Sequence, residues 1–107
     1  MVEEGVEMEK KYEAELSFSA SEPFFKGHYP GRPVTPGVML IDKAVRAAEH
    51  MLGRKVAVKS IRKVKFSAPV LPEETVLLKL DRRAEGEIAY SFSRDGTQCA
   101  CGILFVV

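Results

Sequence analysis

Tryptophan is absent from this 107-residue chain, and cysteine occurs only twice. Cys99 and Cys101 lie two apart in an extended segment, so they are expected on one face and cannot bridge each other. With no third ligand nearby they make a poor zinc site, and they read as small core hydrophobes. Long apolar stretches are also missing. The longest runs nine residues, Cys99 to Val107, whereas a membrane helix needs about 20. Nor is there charge of one sign: 16 Lys and Arg against 15 Asp and Glu leave +1. That excludes the basic stripe of a dedicated nucleic-acid binder. The acidic N-terminus, Met1 to Glu9, has no apolar core of a signal peptide, so a cytoplasmic setting is expected.

What remains is an ordinary globular composition, 46% hydrophobic and 29% charged. A chain this long buries about 65% of its surface on folding, enough for a single domain over residues 1–107 and little more. Residues 11–19 alternate, with Tyr12, Ala14, Leu16 and Phe18 apolar on one side, and read as a half-buried strand. A loop stiffened by Pro23, Pro30, Pro33 and Pro36 follows. A helix comes next, with Thr35 placed to N-cap it, Pro36 at its first position and Gly53 as the C′ glycine. Its apolar positions cover more than half the wheel, so a sheet is expected to curl around it.

Val56 to Phe66 is rich in β-formers, with a bulge expected around Ile61 where the alternation slips. Val76–Leu78–Leu80 and Ile88–Tyr90–Phe92 alternate, separated by the turn signals Glu85-Gly86 and Asp95-Gly96. Cys99 to Val107 is apolar on both faces and reads as a central strand. One strand, one helix and about four further strands in a meander make an α+β domain.

The stretch with chemistry in it is Gly27-His28-Tyr29-Pro30-Gly31-Arg32-Pro33-Val34-Thr35-Pro36-Gly37-Val38, with Asp42 a turn and a half further on. It places an imidazole on a stiff loop that runs into a helix N-terminus. There the free N–H groups, Gly37's among them, can hold a carbonyl oxygen that gains negative charge. Base, oxyanion site and acid are what proton abstraction next to a carbonyl requires. Each piece also has a plainer reading. Loop histidines mostly serve as surface hydrogen-bonding groups, Asp42 can simply pair with Arg46 at i,i+4, and Gly37 can be a close-packing point.

The stretch Glu22-Pro23-Phe24-Phe25-Lys26-Gly27-His28-Tyr29-Pro30-Gly31-Arg32-Pro33-Val34-Thr35-Pro36-Gly37-Val38 resembles the signature of the 3-hydroxyacyl-(acyl-carrier-protein) dehydratases of the FabZ/FabA type. Val64 to Pro72 resembles a second segment of that family. The resemblance implies the hot-dog fold, a curved antiparallel sheet of about five or six strands wrapped around one long central helix. It implies His28 as the base at C2 and Asp42, supplied by the other subunit, as the acid that helps the 3-hydroxyl leave. It places Gly37 at the thioester oxygen, with Tyr29, Pro36 and Val38 as further substrate contacts. The substrate brings its own phosphopantetheine on acyl carrier protein or coenzyme A, and no metal or other cofactor is expected. A homodimer or a trimer of such dimers is expected, with Lys26 and Arg32 as candidates for docking the carrier.

Two positions depart from the pattern. FabZ-type chains have Glu at the place of Asp42 and Gln at the place of Arg46. A cation that pairs with Asp42 is at odds with a group asked to donate a proton. A non-catalytic acyl-carrier or acyl-chain binding module therefore stands as a rival reading, and a hot-dog acyl thioesterase, which shares the fold and the thioester, stands as another.

Overall fold

A computed structural model describes residues 11–23 and 34–107 and the backbone of 6–8. Six strands form one antiparallel sheet in the order β1-β2-β4-β5-β6-β3, and one helix lies across it. The strands are β1 (Val6–Met8), β2 (Lys11–Leu16), β3 (Val58–Phe66), β4 (Val76–Ala84), β5 (Glu87–Arg94) and β6 (Thr97–Val106). The helix α1 runs from Gly37 to Leu52. This is the α+β, hot-dog arrangement expected, with two differences in its wiring. A short first strand, β1, pairs with β2 where none was expected. Only β4, β5 and β6 form a meander, because β3 crosses to the far edge and pairs with β6.

Period-two alternation decides the inner face. Tyr12, Ala14 and Leu16 of β2, Val76, Leu78 and Leu80 of β4, and Ile88, Tyr90 and Phe92 of β5 are all buried, as two-residue periodicity demands of a one-sided sheet. The helix offers them Leu40, Ala44, Ala47, Ala48 and Met51. Three of these five are alanines, so α1 approaches the sheet closely. Ile41, Val45 and Leu52 are only partly covered, and Val38 is 67% exposed. The apolar width of the helix therefore exceeds what the sheet of one chain encloses.

Both ends of α1 bear on the capping expectations. Gly53 adopts φ 70° and its N–H donates to the carbonyls of Glu49 and His50, the expected left-handed C-cap. At the other end Pro36 is the N-cap, and no side chain caps. Thr35 lies one residue too early: it is buried, and its backbone N–H donates to Val70 O at 2.8 Å. The turn signals hold. Asp95 (φ 50°) and Gly96 (φ 80°) make the two-residue turn between β5 and β6, which needs positive φ at both positions.

Of the two bulged strands, β3 was expected to bulge near Ile61 and β6 was not. In β3 the register shifts on both sides of Ile61, and Lys63 takes φ 54°. In β6 it shifts opposite Phe92, so Cys99 is an extra residue and the alternation restarts after it. Cys99 is fully buried while Cys101 lies half-exposed, and both are free thiols. The expectation that they share a face fails because a single inserted residue reverses facing.

The ring of Tyr90 lies over Gly102, where a Cβ would come within 2.6 Å of its hydroxyl. Among the described residues that buried hydroxyl has no partner. Burial, with a smaller contribution from Cys101, raises its pKa above the ordinary 10.0. A raised folded-state pKa favours the neutral phenol, so this stabilisation is whole below about pH 10 and is lost as pH rises through the folded value. Tyr90→Phe keeps the ring and removes the unpaired group. Its melting temperature at neutral pH is expected to match or exceed that of the wild type, with a shallower loss between about pH 9 and about pH 11. An equally steep alkaline loss in both proteins would assign the titration to another group.

Candidate active site at the helix N-terminus

The first turn of α1 opens onto a groove of about 320 Å³ lined by residues 34–37, Leu40 and residues 66–70. Its two walls come from distant parts of the chain. One is the approach to the helix, and the other is the exit from β3. The Thr35–Val70 backbone bond holds them together at 2.8 Å.

The second wall is itself braced. Arg94 on β5 donates to Pro69 O at 2.7 Å and to Glu74 Oε1 at 2.9 Å, and Glu74 Oε1 also accepts from Leu71 N at 2.8 Å. The Arg94–Glu74 pair is about three-quarters buried, where charge-assisted bonds are stronger than at an open surface. None of Thr35, Phe66, Val70 or Arg94 was expected at the site. Phe66 and Val70 fall in the family-like segment Val64 to Pro72 and Thr35 in the longer signature, but neither stretch gave them a site role by spacing, and no motif marked Arg94.

An α-helix leaves its first four N–H groups without intrahelical acceptors. Here Met39 N–H reaches back to Pro36 O at 2.9 Å. Among the described residues the N–H groups of Gly37 and Val38 have no acceptor. They carry the positive end of the helix dipole, which suits an oxygen that gains charge. Pro36, at φ −60° and ψ 141°, directs the chain into this turn.

The ring of Phe66 covers Gly37 so closely that a Cβ there would sit 2.5 Å from Cζ. Gly37 is thus a close-packing point as well as a donor. Phe66 is 54% exposed, so the groove has an aromatic wall with solvent on one side.

Asp42 does not line this groove. At 3.6 residues per turn it lies about 200° around the helix from Leu40, which does. Its Oδ2 accepts from Arg46 Nε at 2.9 Å, with the two side chains 41% and 67% exposed. The structure therefore brings Pro36, Gly37 and Val38 to one helix end and turns Asp42 away from it. His28, Tyr29, Lys26 and Arg32 lie outside the described residues. His50, the other histidine, lies toward the far end of α1, edge-on to Tyr12 with ring centroids 5.6 Å apart. A larger groove of about 900 Å³ on the outer sheet face, lined among others by Lys79, Arg83, Ala89 and Cys101, contains none of the expected site residues.

A family model described as ApeI-like, ApeI dehydratase, matches residues 4–103. The 3-hydroxyacyl-(acyl-carrier-protein) dehydratase FabZ of Chlamydia trachomatis is 36% identical over 77 residues, which cover 64% of this chain and 50% of that protein. FabZ of Thermus thermophilus is 29% identical over 111 residues, 92% of this chain and 78% of the relative. The chain thus spans about half the length of the Chlamydia relatives it matches. Among solved structures, "The Dehydratase Heterocomplex ApeI:P" from Xenorhabdus doucetiae overlays with a TM-score of 0.87 at 24% identity, over 99% of this chain and 96% of that one. The PaaI protein of E. coli overlays at 0.74 and 15% identity, over 95% and 79%. These overlays establish the hot-dog fold.

Two outcomes follow from this geometry. Gly37→Ala in the wild type is expected to lower the melting temperature, because its methyl meets Phe66. In a Phe66→Ala background the same change is expected to be neutral or to stabilise by about 0.4–1 kcal/mol, the usual gain when Ala replaces Gly at a compatible backbone. A double-mutant cycle read by denaturant melts measures the coupling, and additivity would show that the ring does not rest on Gly37. Separately, Arg46→Gln is expected to cost no more than about 0.5 kcal/mol, since the Asp42 pair is exposed and spaced i,i+4.

Proposed function

The chain belongs to the ApeI-like dehydratase family, and on that footing we propose that it removes water from 3-hydroxyacyl thioesters to give trans-2-enoyl thioesters. The observation that carries this reading is the uncommitted N–H group of Gly37, at the lip of a groove whose walls are mostly apolar, with that of Val38 uncommitted next to it on the same helix end. A thioester carbonyl seated there gains negative charge when the C2 proton leaves, and fixed donors stabilise that charge without reorganising.

His28 is the base that takes the C2 proton. The electron pair of the C2–H bond forms the C2–C3 double bond, the C3–O bond breaks, and an acid protonates the departing hydroxyl as water. Asp42 is the acid of this reading. Because it faces away from the groove of its own chain, it serves a site that two chains build together. That second chain is either a copy, as in the homodimer or trimer of dimers expected from the sequence, or a different subunit. The Xenorhabdus doucetiae protein that overlays on this chain is a dehydratase heterocomplex. The substrate arrives on a phosphopantetheine arm, from acyl carrier protein or coenzyme A, with Lys26 and Arg32 as the candidate docking cations.

The test is enone absorbance from 3-hydroxyacyl thioesters on both carriers, across acyl lengths. His28→Ala is expected to fold and to lose roughly 10²–10⁴-fold in turnover, while His50→Ala, remote from the groove, changes little. Thiol release without enone would assign a thioesterase. Carrier binding without turnover would assign a binding module.

A further inference from the structure

In a groove walled mostly by apolar residues, one polar side chain stands out. Thr35 lines the groove, is only 4% exposed, and its hydroxyl has no hydrogen-bond partner among the described residues. The other hydroxyl of the lining, on Ser67, belongs to an exposed residue. The sequence assigned the Thr35 hydroxyl to capping α1, yet no side chain caps that helix. A buried hydroxyl left unpaired loses its bonds to water and gains none in exchange. Native proteins hold few such groups, and each calls for a reason.

The backbone holds this hydroxyl in place from both sides. Thr35 N–H donates to Val70 O at 2.8 Å, and Val70 is itself 1% exposed. Pro36 follows, and a residue before proline is pushed to extended backbone. What is left free is the side-chain torsion. Threonine takes staggered rotamers in which hydroxyl and methyl exchange places. With no partner at Oγ1 among the described residues, that exchange breaks no hydrogen bond. Gly37, whose N–H is uncommitted, lies two residues on, about 7 Å along an extended chain. Hydroxyl and N–H thus flank one short approach to the helix, within reach of two oxygens carried on the same acyl group.

We propose that Thr35 contacts the substrate, its hydroxyl donating to the 3-hydroxyl oxygen of the acyl chain while Gly37 N–H holds the thioester oxygen. This rests on the dehydratase reading above and deepens it, because it assigns what tells a 3-hydroxyacyl thioester from a saturated one. The 3-hydroxyl lies two carbons from the thioester carbonyl and, like that of threonine, both donates and accepts. A donor to its oxygen favours departure of the group. Thr35 keeps its own proton throughout, and the proton that completes the water comes from the acid. A saturated chain leaves the Thr35 hydroxyl buried and unpaired, so the site disfavours it. Valine keeps the shape of threonine without the hydroxyl, and serine keeps the hydroxyl without the methyl.

The experiment reads binding and stability, not turnover, so it stands or falls separately from the dehydratase assignment. Full-length His28→Ala protein, in which the ligand persists, is titrated by calorimetry with 3-hydroxyhexanoyl-coenzyme A and with hexanoyl-coenzyme A. Thr35→Val and Thr35→Ser are then made in that background. The starting protein is expected to bind the 3-hydroxy ligand about tenfold tighter than the saturated one, the scale of one hydrogen bond in a buried site. Thr35→Val is expected to bring the two within about twofold by weakening the 3-hydroxy ligand alone, and Thr35→Ser to keep most of the preference. Without ligand, Thr35→Val is expected to melt about 4 °C higher or more, since it removes an unpaired buried hydroxyl at nearly constant shape. A hydroxyl with a purely structural role predicts no such opposition between stability and affinity. Three results would overturn the inference: no preference for the 3-hydroxy ligand in the starting protein, a preference that survives Thr35→Val, or a lower melting temperature for Thr35→Val, which would show that the hydroxyl is already paired. Enone formation by the wild type is scored apart. Enone with no Thr35 effect keeps the reaction and removes the contact, whereas a Thr35-dependent preference without enone keeps the contact and removes the reaction.

Discussion

Everything at the candidate site depends on how closely α1 can lie on the sheet. Ala44, Ala47 and Ala48 are the residues it presses against the strands, and all three are fully or almost fully buried. Small side chains at that contact let the backbone come near, and close packing then fixes the helix axis relative to the strands. With the axis set, the first turn of α1 meets the end of β3. The Phe66 ring can rest on Gly37, and Thr35 can reach Val70. The groove is the gap left between two elements whose spacing was decided elsewhere.

The same contact leaves the flank of the molecule unfinished. A helix apolar over more than half its circumference has more surface than one sheet can cover, and the excess lies toward β3, where Val38, Val64 and Phe66 remain exposed. The groove opens on this side, and Asp42 points away from its own groove rather than into it. The open edge of β3 and the groove thus lie on the same flank, joined by the β3 exit.

The positive end of the helix and the cations of β3 divide the electrostatics by range. The Gly37 and Val38 N–H groups act only over hydrogen-bond distance, at the helix end beside a groove with mostly apolar walls. Lys59, Arg62, Lys63 and Lys65 are exposed and act over a screening length. The first set suits a charge held in direct contact, and the second acts on the approach of any charged body. Arg94 belongs to neither set, because its charge is spent on Glu74 and Pro69 to keep one groove wall in place.

Local chemistry was enough to read most of the elements. The alternation of Tyr12 to Leu16, the wide apolar face of the helix, Gly53 as its stop and Asp95-Gly96 as a turn each rest on neighbours within a few residues. The sequence likewise placed a helix start beside Gly37, one residue early at Pro36, and set His28 and Asp42 at family-like spacing from each other. It could not show the crossing of β3 to the far edge, because strand order depends on which faces must be buried together and not on any one segment. The bulge at Cys99 was equally hidden: one extra residue reverses facing, and nothing in a run apolar on both sides marks where it goes. Thr35, Phe66, Val70 and Arg94 became site residues only through contacts 25 to 35 positions apart in sequence. Such contacts exist once the core has chosen its packing, which is why only the tertiary structure could decide that the helix start and the β3 exit form one groove.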